Sequence, residues 1–199
     1  MLVSLCGTPG TGKTSTAREL RRRGYEILSE RDLIRELGCF ERYDSDADEY
    51  IADPDELRSS FLCLQGKEGD VVLDGHLSYL APAGLVIVLR APPWVVGQRL
   101  EKRSYPHDKV RENVIAEAVG YTLIRSMEEE KAQGGSDWKM LLEGDGKLVV
   151  ERDVGSLTVE EAADWVERMI EGRRDKKIEV ISPFRPGSVD WLEAHSRWY

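Results

Sequence analysis

Cysteine is scarce in this 199-residue chain, with only Cys6, Cys39 and Cys63. The number is odd and no two stand at CxxC spacing. That excludes a disulfide framework and a cysteine-built zinc site, and fits reduced thiols in the cytosol. Long hydrophobic runs are missing too: none approaches the roughly 18 residues of a membrane span. There is no excess of positive charge. Lys and Arg number 28 against 37 Asp and Glu, a net charge of −9. Non-specific nucleic-acid binding, which needs many cation–phosphate contacts, is therefore disfavoured. A local basic patch or a basic protein partner stays open. Internal repeats and low-complexity tracts are absent. The opening Leu2-Val3-Ser4-Leu5-Cys6 lacks the regions of a signal peptide. A cytoplasmic protein with no membrane partner is expected.

What is present describes a globular domain. Hydrophobic residues make up 41% and charged residues 33%, a soluble balance. This length suits one domain, or one domain with small appendages. Leu2–Cys6, Val71-Val72-Leu73, Leu85–Leu89 and Leu148-Val149-Val150 are short apolar runs, the mark of strands buried on both faces of a parallel sheet. Tyr25–Leu28 is a weaker candidate. Helices are expected between them: Lys13–Arg23 up to Gly24, Pro54–Leu64 capped by Asp53, Val95–Arg103, Asp108–Lys131, and one opened by a capping box at Thr158 and running through Ile170. The alternation indicates βαβ units. Asp44–Asp55 looks like an acidic, irregular insertion, and Gln133–Gly146 like a glycine-rich one. A charged linker is expected at Gly172–Lys177. Beyond it, Trp191, Leu192, His195 and Trp198 share one helical face, expected to pack on the core rather than dock a partner.

The strongest chemical signal is Gly7-Thr8-Pro9-Gly10-Thr11-Gly12-Lys13-Thr14, a full match to G-x-x-x-x-G-K-[ST] between an apolar strand and a helix. Glycines let backbone amides converge on phosphate oxygens, and the helix start adds its positive dipole end. Lys13 is expected at the β- and γ-phosphates of ATP, and the Thr14 hydroxyl on Mg²⁺. Asp74, directly after an apolar run, is the candidate second metal group; a turn aspartate before Gly75 is the plainer alternative. His76 then falls beside the presumed γ-phosphate, where a neutral imidazole orients water or accepts its proton. Arg99 and Arg103, spaced i and i+4, and Arg111, after the break Ser104-Tyr105-Pro106-His107, suggest a small lid of arginines. Arg35 is the candidate for holding a monophosphate. For each arginine, an exposed surface position is the competing reading.

Taken together, Gly7–Ser15, Asp74-Gly75-His76 and the block Ile87–Glu117 (IVLRAPPWVVGQRLEKRSYPHDKVRENVIAE) resemble the adenylate-kinase-like nucleoside triphosphatases of late small-subunit ribosome maturation. These are the archaeal counterparts of the coilin-interacting nuclear ATPase. The resemblance covers roughly residues 1–172. It implies an α/β P-loop NTPase of the nucleoside monophosphate kinase type, a parallel five-stranded sheet with helices on both faces. The core would span 1–172, with a monophosphate-binding region near 30–53 and a lid near 103–113. Residues 173–199 would form a linker and helical appendage.

By the same resemblance, Gly10, Thr11, Gly12, Lys13, Thr14 and Ser15 bind ATP, Arg103 reaches the triphosphate, and Asp74 and His76 form the magnesium and water-positioning pair. Implied activities are transfer from ATP to AMP or another nucleoside monophosphate, and ATP hydrolysis. Implied partners are a platform ribosomal protein of the small subunit, bound transiently, and pre-ribosomal rRNA indirectly. A nucleotide-switched assembly ATPase is the alternative emphasis. A small-metabolite kinase of the shikimate or gluconate type is the third reading. Three departures stand out: Ser104 replaces a lid glycine, Gly75 replaces a larger residue of the eukaryotic members, and the tail after Gly172 has no counterpart in them. The lid has no cysteines, so no zinc is expected there.

Overall fold

The computed structural model describes residues 1–44, 49–132, 144 and 146–191. Five strands form one parallel sheet: β1 (Leu2–Cys6), β2 (Glu26–Ser29), β5 (Val71–Asp74), β6 (Leu85–Arg90) and β7 (Leu148–Asp153), in the order β2-β5-β1-β6-β7. The chain steps from β1 toward β5 and β2 on one side, then returns to β6 and β7 on the other. That reversal opens a crevice at the carboxyl end of β1, where open α/β sheets bind ligands. The continuous apolar strands are buried as expected, because helices cover both faces. On one face Val3, Leu5 and Ile87 pack with Leu20, Trp165 and Met169. On the other, Cys6, Leu73, Val86 and Val88 pack with Leu57, Phe61 and Leu123. Full burial of such side chains stabilises by about 1.5–3 kcal/mol each.

The helices are α1 (Lys13–Arg22), α2 (Glu30–Leu37), α3 (Pro54–Ser60), α4 (Pro93–Glu101), α5 (His107–Ala118), α6 (Tyr121–Ala132), α7 (Val159–Arg174) and the short α8 (Ile178–Ile181). The Asp53 carboxylate caps α3 through the amides of Asp55 and Glu56, and Thr158 with Glu161 forms the capping box of α7.

Several expectations are corrected. Asp108–Lys131 is two helices. The break is Gly120, at φ +70°, where an added Cβ would lie 3.5 Å from the Arg90 guanidinium. Part of the acidic stretch is regular: Arg42–Asp44 (β3) pairs antiparallel with Glu49–Ile51 (β4). The charged stretch 172–177 is not a free linker. Helix α7 runs on through Arg174, and the buried Arg173 donates to the carbonyls of Gly84 (3.2 Å) and Gly146 (2.7 Å). Ile181 is likewise buried in the core. Of the apolar face drawn from Trp191 to Trp198, only Trp191 lies within the described residues, and so does little of Gln133–Gly146.

Candidate active site

The P-loop leaves β1 at the crevice. Gly7 (φ +141°) is forced by close approach: a Cβ there would sit 2.3 Å from the Leu89 carbonyl oxygen. Gly12, at φ +112°, precedes α1 and offers no side-chain cap, so the first amides of α1 face outward as an anion site. Lys13 is buried and donates to the carbonyls of Gly7 (2.7 Å) and Thr8 (3.1 Å). Burial lowers its pKa, and Asp74 is the chief group opposing that.

Asp74 ends β5, opposite Leu5 of β1 and Ser29 of β2. Burial raises its pKa, against the pull of Lys13 and a hydrogen bond with the Thr14 hydroxyl. Its Oδ1 is buried with no partner among the described residues. His76 places Nδ1 3.3 Å from the Gly7 carbonyl. Burial, reinforced by Lys13, lowers the imidazole pKa to about 4. The ring is therefore neutral at neutral pH. The folded state binds its proton less readily than the unfolded chain. Its contribution to stability is thus present above about pH 6.5 and lost as pH falls toward 4. The thermal midpoint should drop over that interval in the native protein and drop less in His76→Gln; equal acid slopes would refute the assignment.

Between these groups stands Glu30, the first residue of α2. It is buried, and burial raises its pKa to about 8, while the amides of Leu77 and His76 favour its charged form. Its Oε2 also lacks a partner among the described residues. Glu30 explains the glycine of Asp74-Gly75-His76. A Cβ on Gly75 would lie 2.1 Å from Glu30 Oε2 and 2.2 Å from its Cβ.

Two cavities flank the P-loop and the first turns of α1. One, of about 360 Å³, is lined by Gly10, Thr11, Gly12, Ser15 and Thr16, by Arg99, Lys102 and Arg103, and by the segment Leu157–Val159 with Ala162. The other, of about 710 Å³, is lined by Lys13, Thr14, Asp74, Gly75 and His76, by Arg18 and Arg21 of α1, by Glu30, Arg31 and Asp32 of α2, and by Tyr50 and Tyr105. Both volumes suit small-molecule ligands.

The predicted loop residues thus come together, with Lys13, Thr14, Asp74 and His76 in the larger cavity. Arg99 and Arg103 meet in the smaller one. Arg99 donates to Gly10 O (3.1 Å) and Gly155 O (3.2 Å), and its pKa is lowered by burial and by Arg103. Arg111 is exposed on α5 and lines neither cavity. Arg35 also lines neither; it is exposed and pairs with Asp32 at 3.0 Å. Helical phase does not separate Arg31 from Arg35, since i and i+4 share a face; Arg35 sits one turn further along α2, outside the cavity lining. Ser104 has φ +58°, the left-handed region that glycine adopts freely. The backbone keeps a glycine-like turn at this point without the glycine.

Sequence reasoning missed Glu30, Arg31, Arg18, Arg21 and Lys102. Arg18 and Arg21 stand four and seven residues after Thr14, a helical repeat that was available as a signal. Nothing local marks Glu30, whose role depends on the neighbouring strand.

The comparisons with known proteins agree with this architecture. A family model described as "AAA domain" matches residues 3–120. A Pyrococcus abyssi protein named "Putative adenylate kinase" is 36% identical over 196 residues, covering 98% of this chain and 93% of its own length. A Methanosarcina barkeri protein of the same name is 32% identical, with 97% and 98% covered. Among solved structures, a shikimate kinase from Acinetobacter baumannii superposes with a TM-score of 0.50 at 15% identity, covering 87% of this chain and 94% of that one. That likeness speaks to the α/β P-loop kinase fold alone. Full-length identity of this order places the chain in the family of the archaeal proteins that carry the adenylate kinase name.

Proposed function

We propose that the chain transfers a phosphoryl group from ATP to a nucleoside monophosphate, with AMP as the acceptor to test first. The observation that carries this reading is the pair of cavities meeting at one P-loop. The smaller takes the donor nucleoside, with Arg99, Lys102 and Arg103 beside the triphosphate. The larger takes the acceptor, whose phosphate faces Arg18, Arg21 and Arg31. Lys13 leaves the loop carbonyls for the phosphate oxygens and holds their developing charge. Such transfer needs positioning and charge more than a covalent step, which is what these residues provide.

The donor set fits magnesium. Asp74 has a buried oxygen without a partner among the described residues, and Thr14 adds a hydroxyl, both hard oxygen ligands. The ion would neutralise charge on the β- and γ-phosphates. Zinc chemistry is not proposed.

Arg31 and Arg35 separate this proposal from its sequence-based form. Arg31→Ala should raise the acceptor KM about tenfold or more, as expected for loss of a charged phosphate contact. Arg35→Ala should change it less than about threefold, because an exposed i,i+3 pair contributes little. Chromatography of ATP plus AMP reactions would read both. Equal effects would overturn the assignment of the larger cavity.

A second reading is favoured by His76, a neutral base at the same phosphate site. Water then takes the phosphoryl group, and nucleotide state governs grip on a basic partner such as a small-subunit ribosomal protein, consistent with the net charge of −9. Free phosphate released without AMP consumption, at a rate the ribosomal protein changes, would support it. Equal partner affinity with ATP and ADP would remove it.

A further inference from the structure

Behind the P-loop, away from both cavities, a row of buried charged groups runs from Thr8 to the C-terminal segment. The Thr8 hydroxyl donates to Glu117 Oε2 at 2.6 Å. Glu117 Oε1 accepts from Arg90 Nε (2.7 Å), the Ala91 amide (3.2 Å) and Trp191 Nε1 (3.3 Å). Arg90 reaches on to Glu151 Oε2 at 2.9 Å. Glu151 Oε1 takes the amides of Gly187 (2.6 Å) and Val189 (3.2 Å). Glu117 is 1% exposed, Glu151 0% and Arg90 2%. The Trp191 ring also meets Trp94 edge-on, 6.2 Å between centroids.

Two carboxylates share one guanidinium here, and neither reaches water. The remaining acceptor positions are filled by the P-loop at one end and by residues 187–191 at the other. A buried carboxylate that loses a donor is left under-compensated, and its remaining partners must adjust. The partner on the loop side is Thr8. Its carbonyl shares the Lys13 ammonium with Gly7 and also accepts from Thr11. A change at Trp191 therefore reaches the lysine through Glu117 and Thr8. An apolar tail packed only for stability would not need to complete the hydrogen bonding of these carboxylates.

The geometry points to Glu117 as a positioning residue that couples the segment 187–191 to the P-loop, so that nucleotide binding and seating of this segment strengthen each other. The inference rests on the reading that the P-loop takes nucleotide. Linkage requires the coupling to be reciprocal, so it can be measured from either end.

The test uses the full chain with a non-hydrolysable ATP analogue and magnesium. Calorimetric affinities would be measured for the native protein, Thr8→Val, Trp191→Phe and the double variant. Each single change should weaken binding about fivefold, the lower range of such couplings. The double variant should be no weaker than the weaker single, since both act through Glu117. Turnover should show the loss in KM for ATP rather than in kcat. In the native chain, saturating analogue should slow hydrogen exchange at the Gly187 and Val189 amides by a similar factor, and should do so less in Thr8→Val. Unchanged affinity in Trp191→Phe, additive losses, or exchange at 187 and 189 indifferent to nucleotide would each overturn the coupling. Those results would leave the nucleotide reading intact. Failure of the native chain to bind the analogue at all would overturn both.

Discussion

Lys13→Ala should reduce ATP-dependent transfer by about a hundred- to a thousandfold, the loss typical of removing one preorganised donor to developing charge. The structure makes this lysine hard to replace. It is buried, and it is held by two loop carbonyls rather than by a carboxylate. Phosphate oxygens can therefore compete for it without first breaking an ion pair. Burial lowers its pKa, and a phosphate in contact would favour the charged form. Part of the effect should appear in binding, since phosphate contacts exist before the transition state. A coupled assay with AMP as acceptor, alongside calorimetry with the analogue, would separate the two parts. A variant retaining a third or more of native turnover would mean that the P-loop is not where the phosphoryl group moves. Lys13→Ala should also relieve the burial of an ammonium, so its thermal midpoint should not fall in parallel with its activity.

Gly75→Ala should be a strongly damaging single-methyl change in the site. The added Cβ would collide with Glu30 at its Cβ as well as its carboxylate, at 2.2 Å and 2.1 Å. The end of a flexible side chain can move away; a Cβ on the first turn of α2 cannot without shifting the helix. Overpacking of this kind costs about 1–3 kcal/mol, and displacing Glu30 from the His76 and Leu77 amides adds to that. A loss of about 3 kcal/mol lowers the thermal midpoint of a domain this size by about 6–12 °C. The control is Glu30→Gly in the Gly75→Ala background, which removes the obstructing Cβ together with the carboxylate. The double variant should recover part of the lost midpoint, a non-additivity expected of residues in contact. Transfer activity should not recover with it if Glu30 also holds the turn that carries His76. If Gly75→Ala melts with the native protein, the packing of Glu30 on that turn is wrong.

The fold was legible because its signals are local. Leu85–Leu89 and Leu148-Val149-Val150 are continuous apolar runs, and only a sheet covered on both faces buries them completely. The capping box at Thr158 lies within four residues and is formed as the sequence indicates. Gly7–Thr14 carries its own backbone requirements, so the loop and its place after a strand were readable together. The division of Asp108–Lys131 was not. Its helical pattern crosses Gly120 without interruption, and the turn there packs close to the Arg90 guanidinium, which comes from the distant strand β6.

Sequence by itself determined the parallel α/β layering, the phosphate-binding loop, and the candidates Lys13, Thr14, Asp74 and His76 that line one cavity. These rest on hydrophobic period, glycine conformation and motif spacing, which act over a few residues. Tertiary structure alone decided which arginines line the two cavities. Arg31 lines the larger cavity and Arg35, one turn further along the same face of α2, does not, a difference set by where along the helix the cavity ends. It alone brought Glu30 against Gly75, and Thr8, Glu117, Arg90, Glu151 and Trp191 into one buried row. Those contacts join residues up to 109 positions apart. A charged side chain looks the same in sequence whether it meets water or a buried partner, and only the packed fold separates the two.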